Sequence, residues 1–294
     1  MQKKTSTITI LGIPNAGKST LINTIVGYKV SIVTPKVQTT RNVINGIKIF
    51  ENTQLIFLDT PGIFNPKNQL SKYMVKSSWV STKNSDFILV LLDGTKAEAS
   101  LDLLSKIVKK IQNTNKLVAC INKIDILSRE KILSLKKNIE KQNCSMIFDI
   151  SALKSKNIVP MLDYFAKNST TKGWYYEEDQ ITTAPIRFLA EEITRASLFF
   201  ALRQELPYSL IVITEEFKET EEKIIIKHKI IVERENHKKI IIGNKGENLK
   251  KIGTNARQNI MKQFEKKVDL FLFVQIRRNW TKKENHFTIA CNYI

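Results

Sequence analysis

The fold of this chain is decided by the stretch Gly12-Ile13-Pro14-Asn15-Ala16-Gly17-Lys18-Ser19. The stretch fits the pattern G-x-x-x-x-G-K-S, follows the apolar residues 8–11, and precedes residues with helical spacing. In this pattern the glycines let backbone N–H groups surround phosphates, and the helix N-terminus adds partial positive charge. Lys18 is expected to reach the β- and γ-phosphates, and the Ser19 hydroxyl to bind Mg²⁺. The stretch therefore predicts a P-loop that binds a nucleotide.

A second motif, Asn122-Lys123-Ile124-Asp125, indicates which base that nucleotide carries. It follows an apolar strand pattern over residues 117–121, about a hundred positions after the P-loop. A carboxylate at Asp125 can accept hydrogen bonds from N1–H and the exocyclic amine of guanine, whereas adenine would leave it unpaired. Asn122 is expected to brace the loop, and the stem of Lys123 to lie over the base. The motif predicts a guanine nucleotide and disfavours a P-loop kinase.

Two further strand ends carry candidate contacts. Asp59-Thr60-Pro61-Gly62 follows the strand pattern 55–58, which would place Asp59 to hold Mg²⁺ through water and the Gly62 N–H to meet a γ-phosphate. Ser151-Ala152-Leu153 follows the pattern 146–150 and is expected to contact guanine through backbone N–H groups. The predicted nucleotide-binding residues are therefore Gly12, Ile13, Pro14, Asn15, Ala16, Gly17, Lys18, Ser19, Asp59, Thr60, Pro61, Gly62, Ile63, Asn122, Lys123, Asp125, Ser151, Ala152 and Leu153.

A polar segment between residues 30 and 43 contains Gln38-Thr39-Thr40-Arg41. A threonine hydroxyl in such a segment can complete Mg²⁺ coordination when GTP orders the loop. We expect this threonine to be Thr40, with Thr39 as the alternative. The predicted Mg²⁺ ligands are then Ser19, Thr40 and Asp59.

The order of the patterns predicts the fold class. Apolar strand patterns alternate with helical patterns over residues 1–173, which predicts a mainly parallel sheet covered on both faces, with an antiparallel hairpin at one edge. The polar and acidic residues 174–184 are interpreted as a linker. Residues 185–294 show the order α-β-β-α-β, with a glycine-containing turn before the second helix and the short segment in front of that turn unassigned.

Charge and composition limit the other possibilities. The net charge is +19, and residues 227–283 carry 16 basic but only 5 acidic residues, so the basic block coincides with the glycine turn. The three cysteines include no C-x-x-C pair, which argues against a disulfide framework and a structural zinc site. Neither an apolar signal core nor a run long enough for a membrane helix is present, which predicts a cytoplasmic protein.

Taken together, these motifs resemble the Era family of GTPases. The stretches Gly12-Ile13-Pro14-Asn15 and Gln38-Thr39-Thr40-Arg41 carry the resemblance in the first half, and Ile240-Ile241-Ile242-Gly243-Asn244-Lys245-Gly246 resembles the G-x-x-G turn of a type II KH domain. The resemblance covers residues 5 to about 283. Ala16 stands where the family usually has valine and Asn42 where it has histidine, and we expect neither change to abolish nucleotide binding.

The resemblance implies a P-loop GTPase domain followed by an α+β type II KH domain that binds single-stranded RNA. In that family the RNA is the 3′ end of 16S ribosomal RNA, bound during assembly of the 30S subunit. Peripheral contact with the inner membrane stays open, and we expect a monomer. The predicted RNA contacts are Lys239, Ile242, Gly243, Asn244, Lys245, Gly246, Lys250 and Lys251.

One absence bears on catalysis. Ras-type GTPases place a glutamine directly after Asp-x-x-Gly to orient the attacking water, and this chain has Ile63 there. Slow intrinsic hydrolysis is therefore expected. Asn15 resembles an asparagine that holds K⁺ near the phosphates in related GTPases, although a plain turn residue is the alternative. Two functions of different class stay open at this point: a GTPase switch, and an RNA-binding scaffold with a structural nucleotide.

Overall fold

The computed structural model of the chain describes residues 2–34, 36, 40–66, 68–111, 113–202, 206–278 and 280, without the side chains of residues 115 and 207. The chain forms two compact units. The first consists of Met1–Ser31 with Thr40–Thr183, and the second of Ile32–Thr39 with Ala184–Ile294. Within the described residues, no helix has both the length and the apolar character needed to cross a membrane.

The first unit alternates strands and helices along the chain. Its elements are β1 (Lys4–Leu11), α1 (Lys18–Val26), β2 (Ile44–Phe50), β3 (Thr53–Asp59), α2 (Gln69–Ser81), β4 (Phe87–Asp93), α3 (Ala97–Lys110), β5 (Leu117–Asn122), α4 (Arg129–Glu140), β6 (Met146–Asp149), α5 (Ile158–Lys167) and β7 (Thr171–Lys172). Over the described residues the sheet order is β2-β3-β1-β4-β5-β6, with β7 paired to β1. Only β2 and β7 run antiparallel to their neighbours there, which confirms the predicted parallel sheet with an edge hairpin.

Helices cover both faces of this sheet, and its central strands β4 and β5 are buried along their whole length. Every residue of β4 is buried, as expected for a strand with helices on both sides. On one face, α1 and α5 contribute Leu21, Ile22, Met161 and Phe165 to the core. On the other face, α3 and α4 contribute Leu104, Ile107, Leu135 and Ile139. This two-sided packing fixes the carboxyl ends of β1, β3 and β5, where the three main motifs lie.

Two helices of this unit, α2 and α5, are not among the elements predicted from the sequence. Helix α2 buries only three residues, so its apolar period is weak, and its clearest signal is a capping box between Asn68 and Ser71. Helix α5 buries five of its ten residues at helical spacing, which is a readable signal. The hairpin between β2 and β3 turns at residues 51 and 52, between Phe50 and Thr53.

Side chains of the first unit hold segment 174–183, which has the composition of a linker. Gln54 is fully buried, and its Oε1 accepts hydrogen bonds from the N–H groups of Tyr175 and Tyr176 at 3.0 and 3.1 Å. Its Nε2 donates to the carbonyl of Tyr176 at 2.9 Å. The amide of Gln54 therefore binds the backbone of the segment as a neighbouring strand would.

The end of the same segment is held by β2. Oδ1 of Asn45 accepts hydrogen bonds from the hydroxyl and N–H groups of Thr183, and its carbonyl oxygen accepts from the hydroxyl of Thr182. The N–H of Ile47 donates to the carbonyl of Ile181 at 2.8 Å. Segment 174–183 is thus part of the first unit up to its last residue.

The second unit places helices on one face of a three-stranded sheet. Its elements are α6 (Ile186–Ala201), β8 (Leu210–Glu219), β9 (Lys223–Val232), α7 (Glu235–Ile242), α8 (Glu247–Phe264) and β10 (Lys267–Ile276). In the described part β9 is central, antiparallel to β8 and parallel to β10. The predicted order α-β-β-α-β is confirmed, and the unassigned segment is α7. Its three consecutive isoleucines look like a strand in sequence, but only Ile241 is buried.

Polar groups are buried beneath α6. The carboxylate of Glu191 accepts a hydrogen bond from the N–H of Thr214 at 2.7 Å, and burial raises the pKa of Glu191 to about 7. The ring of His228 is fully buried against the hydroxyl of Thr194, and burial lowers the pKa of His228 to about 3. Both groups are therefore most stable in the folded unit when they are neutral.

We expect Glu191→Gln to stabilise the second unit at alkaline pH, because an amide oxygen can still accept from Thr214 and carries no buried charge. Because the pKa of Glu191 is raised in the folded unit, its protonated carboxyl contributes fully to the stability of that unit below about pH 4.5. The contribution is lost as pH rises towards and through 7. The stability difference between variant and wild type should therefore be near zero at pH 4.5 and reach up to about 3 kcal/mol at pH 8. Urea unfolding at both pH values measures it.

The neighbouring Glu192 provides the control, since its carboxylate pairs with the buried guanidinium of Arg195. Glu192→Gln should destabilise the unit at pH 8 by removing that partner. A Glu191→Gln protein no more stable than wild type at pH 8 would contradict the inference.

Candidate functional site

The P-loop joins β1 to α1 at the carboxyl edge of the sheet. Gly17 has φ +98°, and a Cβ added there would lie 2.4 Å from the side-chain nitrogen of Asn122, so only glycine fits this position. Lys18 is the first residue of α1, and its Nζ donates to the carbonyls of Gly12 and Ile13 at 3.3 and 3.2 Å. The loop therefore folds around the ammonium group with its backbone at the N-terminus of a helix.

The ammonium of Lys18 is buried beside a carboxylate. Burial lowers the pKa of Lys18 to about 8, and the negative charge of Asp59 opposes this shift. Burial likewise raises the pKa of Asp59, opposed by Lys18 and by three hydroxyl groups. Both charges are incompletely compensated by the protein alone. A phosphate near Lys18 would supply negative charge beside the ammonium group, and a cation near Asp59 would supply positive charge beside the carboxylate.

Hydroxyl groups from two separate segments converge on Asp59. The Oγ of Ser19 donates to Oδ2 of Asp59 at 2.6 Å, the Oγ1 of Thr40 lies 3.4 Å from the same atom, and the two hydroxyl oxygens are 3.0 Å apart. The other carboxylate oxygen, Oδ1, is buried without a hydrogen-bond partner among the described residues. Two hydroxyl oxygens and a carboxylate oxygen without a hydrogen-bond partner among the described residues are the type of ligand that Mg²⁺ prefers. Thr39, the alternative to Thr40, is outside the described residues.

The Asp-x-x-Gly loop lies directly against the P-loop. The N–H of Ile63 donates to the carbonyl of Gly12 at 3.0 Å, and a Cβ at Gly62 would come within 2.8 Å of the Pro14 nitrogen. The hydroxyl of Thr60 donates to the carbonyl of Ile10 at 2.6 Å. The side chain of Ile63 packs against a buried apolar cluster of the first unit. Nothing at that position can orient a water molecule.

Asn122 connects the P-loop with the loop after β6. Its Nδ2 donates to the carbonyl of Ala16 at 2.8 Å, and its Oδ1 accepts from the N–H of Ala152 at 2.9 Å. The N–H of Ser151 donates to the carbonyl of Lys156, which closes the second loop. The bracing function predicted for Asn122 thus has a geometric basis, because one side chain fixes the spacing of both loops.

Asp93 was not among the predicted site residues, yet it positions one of them. It ends the buried strand β4, and its Oδ2 forms a salt bridge of 2.7 Å with Nζ of Lys123. Burial acts to raise the pKa of Asp93, but hydrogen bonds from Lys123 and Thr95 outweigh burial and lower it. This pairing fixes the stem of Lys123. The signal for Asp93 in the sequence was an aspartate at the end of an apolar strand.

Asp125, two residues after Lys123, is exposed and forms no salt bridge in the described part of the chain.

The second unit contains a separate candidate site at the turn between α7 and α8. Gly243 has φ +73°, and a Cβ there would lie 2.6 Å from the Cβ of Asn248, so the turn requires glycine. Gly246 has φ +82° with open space around it. Four lysines surround the turn, each exposed and without a salt bridge among the described residues: Lys239, Lys245, Lys250 and Lys251. A bare turn before a helix, with cations around it, suits a phosphate backbone.

Comparisons with known proteins agree with this geometry. Residues 7–123 match a family model described as "50S ribosome-binding GTPase", and residues 205–281 match one described as "KH domain". The GTPase Era of Rickettsia bellii (strain OSU 85-389) is 42% identical over 287 residues, covering 97% of each chain. The GTPase Era of Ehrlichia canis (strain Jake) is 41% identical over 298 residues, covering 100% of this chain and 99% of the relative.

Solved structures of Era are similar over the same length. One is a crystal structure of Era in complex with MgGDPNP and nucleotides 1506–1542 of 16S ribosomal RNA, and another is a variant of Aquifex aeolicus Era bound to GDP·AlF4⁻. Each has a TM-score of 0.91 and 36% sequence identity and covers 99% of both chains. With both domain types, the nucleotide motifs and the full length in common, this chain belongs to the GTPase Era family.

Proposed function

We propose that this chain is a switch that binds and hydrolyses Mg²⁺·GTP and binds the 3′ end of 16S ribosomal RNA during assembly of the small ribosomal subunit. The observation that carries this proposal is the convergence of Ser19 and Thr40 on the buried Asp59 beside Lys18. The glycine turn at Gly243 supports RNA binding. Further support comes from the solved Era complex, which contains both MgGDPNP and 16S ribosomal RNA.

In this proposal the nucleotide lies along the carboxyl edge of the first sheet. The P-loop N–H groups and Lys18 hold the phosphates, and Asp125 accepts hydrogen bonds from guanine. Ser19 and Thr40 would hold Mg²⁺ directly and Asp59 through water. When bound, Mg²⁺ neutralises charge on the β- and γ-phosphates. Gly62 lies against Pro14 of the P-loop, and in this proposal its N–H contacts a γ-phosphate.

In this proposal, GTP hydrolysis requires a positive charge near the phosphates that is not supplied by a side chain after the Asp-x-x-Gly motif. Ile63 is partly buried against an apolar cluster of the first unit, so no side chain at that position orients the attacking water. We propose that Asn15 holds a K⁺ ion beside the phosphates and that this ion supplies positive charge where it develops during phosphoryl transfer. Intrinsic turnover without such an ion is expected to be slow.

RNA binding in this proposal belongs to the α7–α8 turn. The backbone of a single strand would approach Gly243 and Gly246, and the four surrounding lysines would contact phosphates. Ile242, just before the turn, and Asn244, within it, would contribute further contacts. We further propose that the protein is a cytoplasmic monomer. Its net charge of +19 supports a further proposal, that the protein binds peripherally to the anionic surface of the inner membrane.

Asp125→Asn should exchange guanine for xanthine specificity. The carboxylate accepts two hydrogen bonds from guanine, whereas an amide can donate to the 2-oxo group of xanthine. Loss of hydrogen bonds to a charged group should weaken GTP binding about a hundredfold or more, while xanthosine triphosphate binding should rise. Titration with fluorescent nucleotides measures both. Asp163→Asn, a change at a partly exposed residue of α5 outside the nucleotide motifs, should leave both affinities as they are. Normal GTP affinity in Asp125→Asn would show that Asp125 does not contact the base.

The K⁺ proposal predicts that replacing K⁺ by Na⁺ at constant ionic strength slows GTP hydrolysis and that Asn15→Ala removes the difference. Because Asn15 has φ +64°, alanine also introduces backbone strain there. Asn15→Gly removes the same side chain without that strain, so both variants should become indifferent to the cation. Steady-state phosphate release is the measurement. A wild-type rate that is the same in both salts would eliminate the K⁺ site.

The RNA site is tested by Gly246→Asp against Gly246→Asn in the full chain. Both residues tolerate positive φ, and the space at Gly246 is open, so the two differ mainly in charge. The aspartate should weaken binding to a 16S 3′-end single strand at least about tenfold more than asparagine, because its carboxylate would repel RNA phosphate. Fluorescence anisotropy measures this, and GTP affinity should be unchanged in both.

Two further titrations with the same RNA strands distinguish a KH groove from a purely electrostatic surface, and a switch from a scaffold. A KH groove should prefer the 16S 3′-end sequence over a scrambled strand of equal length, whereas a purely electrostatic surface should not. A switch should bind RNA with different affinity in the GDP and GTP-analogue states. Equal affinity in both states would favour a scaffold with a structural nucleotide.

A further inference from the structure

A third hydroxyl group contacts Asp59, and it comes from outside the sequence motifs. The Oγ of Ser31 donates to Oδ2 of Asp59 at 2.6 Å, as short as the hydrogen bond from Ser19. Ser31 is 4% exposed, so water does not compete for this contact. It is closer to the carboxylate than Thr40, which lies 3.4 Å away.

The backbone of Ser31 is held by a side chain of α1. The Nδ2 of Asn23 donates to the carbonyl of Ser31 at 2.7 Å, and the N–H of Ser31 donates to Oδ1 of Asn23 at 3.0 Å. Asn23 lies on the same helix as Ser19, four residues further on. The hydroxyl of Ser31 is thus held at a fixed position relative to Ser19, because one rigid helix carries both anchors.

Ser31 also marks a boundary in the chain. It is the last residue of the first unit before Ile32–Thr39, and Thr40 is the residue at which the chain returns to that unit. Both residues place a hydroxyl on the same oxygen of Asp59. The two residues that flank segment 32–39 therefore both contact the carboxylate of Asp59.

We propose that Ser31 is a positioning residue that orients the Asp59 carboxylate for Mg²⁺, with Asn23 acting through Ser31. This inference rests on the proposed function, in which Ser19 and Thr40 are themselves metal ligands. Ser31 is not in that ligand set, so its hydroxyl stays committed to Oδ2 whether or not the metal is present. It holds the carboxylate with Oδ1, which has no partner among the described residues, available to a metal-bound water.

The test is the Mg²⁺ dependence of fluorescent GDP release from the full-length protein. Hydrogen bonds to a charged group are worth about tenfold or more in binding. Ser31→Ala should therefore raise the Mg²⁺ concentration that gives half-maximal slowing of release about tenfold. Release in EDTA should keep the wild-type rate, since the hydrogen bonds of Ser31 recorded in the described part of the chain reach only Asp59 and Asn23.

The variants of Asn23 separate positioning from general packing. Asn23→Ala should raise the Mg²⁺ midpoint by a smaller factor, and the double variant should match Ser31→Ala, because Asn23 acts only through the Ser31 hydroxyl. Ser169→Ala is the control, since it removes an equally buried serine hydroxyl bonded to Ser6 and Phe165. It should keep the wild-type midpoint. Ser31→Cys, nearly equal in size but a poor donor, replaces Ser31→Ala if that variant unfolds.

Three results would overturn the inference: an unchanged midpoint in Ser31→Ala, independent effects that multiply in the double variant, or faster release that is equal in EDTA and Mg²⁺. Failure of the proposed function looks different. In that case release from the wild-type protein would itself be independent of Mg²⁺.

Discussion

A carboxylate and an ammonium group share the interior of the first unit, and the arrangement of the surrounding elements follows from keeping both groups satisfied. Asp59 is fully buried and Lys18 is 6% exposed. A buried charge without partners costs several kcal/mol, so each group needs hydrogen bonds as well as the other's charge. The carboxylate takes its bonds from hydroxyls, and the ammonium takes its bonds from P-loop carbonyls. The parallel pairing of β1 with β3 is what brings these two sets of groups together.

The chemistry at strand ends could be predicted from the sequence because each motif is local and its strand is strongly apolar. Residues that act through tertiary contacts could not be predicted in this way. Asp93 and Ser31 carry no motif of their own, and each acquires its function from a partner about thirty residues away. The same limit applies to α7, whose isoleucine run suggests a strand until the packing shows that only one of its three isoleucines is buried.

The two candidate sites share one backbone feature, but their cations are buried in the first unit and exposed in the second. Each places a left-handed glycine directly before a helix, Gly17 before α1 and Gly246 before α8. In the first unit the cation is internal, and screening by salt affects a buried charge only weakly. In the second unit the lysines are exposed, so binding of a polyanion there should weaken steeply with salt. Nucleotide and RNA affinities are therefore expected to differ sharply in their response to ionic strength.

The binding of segment 174–183 to β2 also has a consequence for self-association of the protein. β2 is an edge strand, and unpaired edges invite pairing with other chains. Here the edge is covered by the segment itself, through the backbone bond from Ile47 to Ile181 and through the side chain of Asn45. A fragment cut after residue 173 would keep every nucleotide motif but lose this cover. Such a fragment would present an open strand, and self-association would then compete with its solubility.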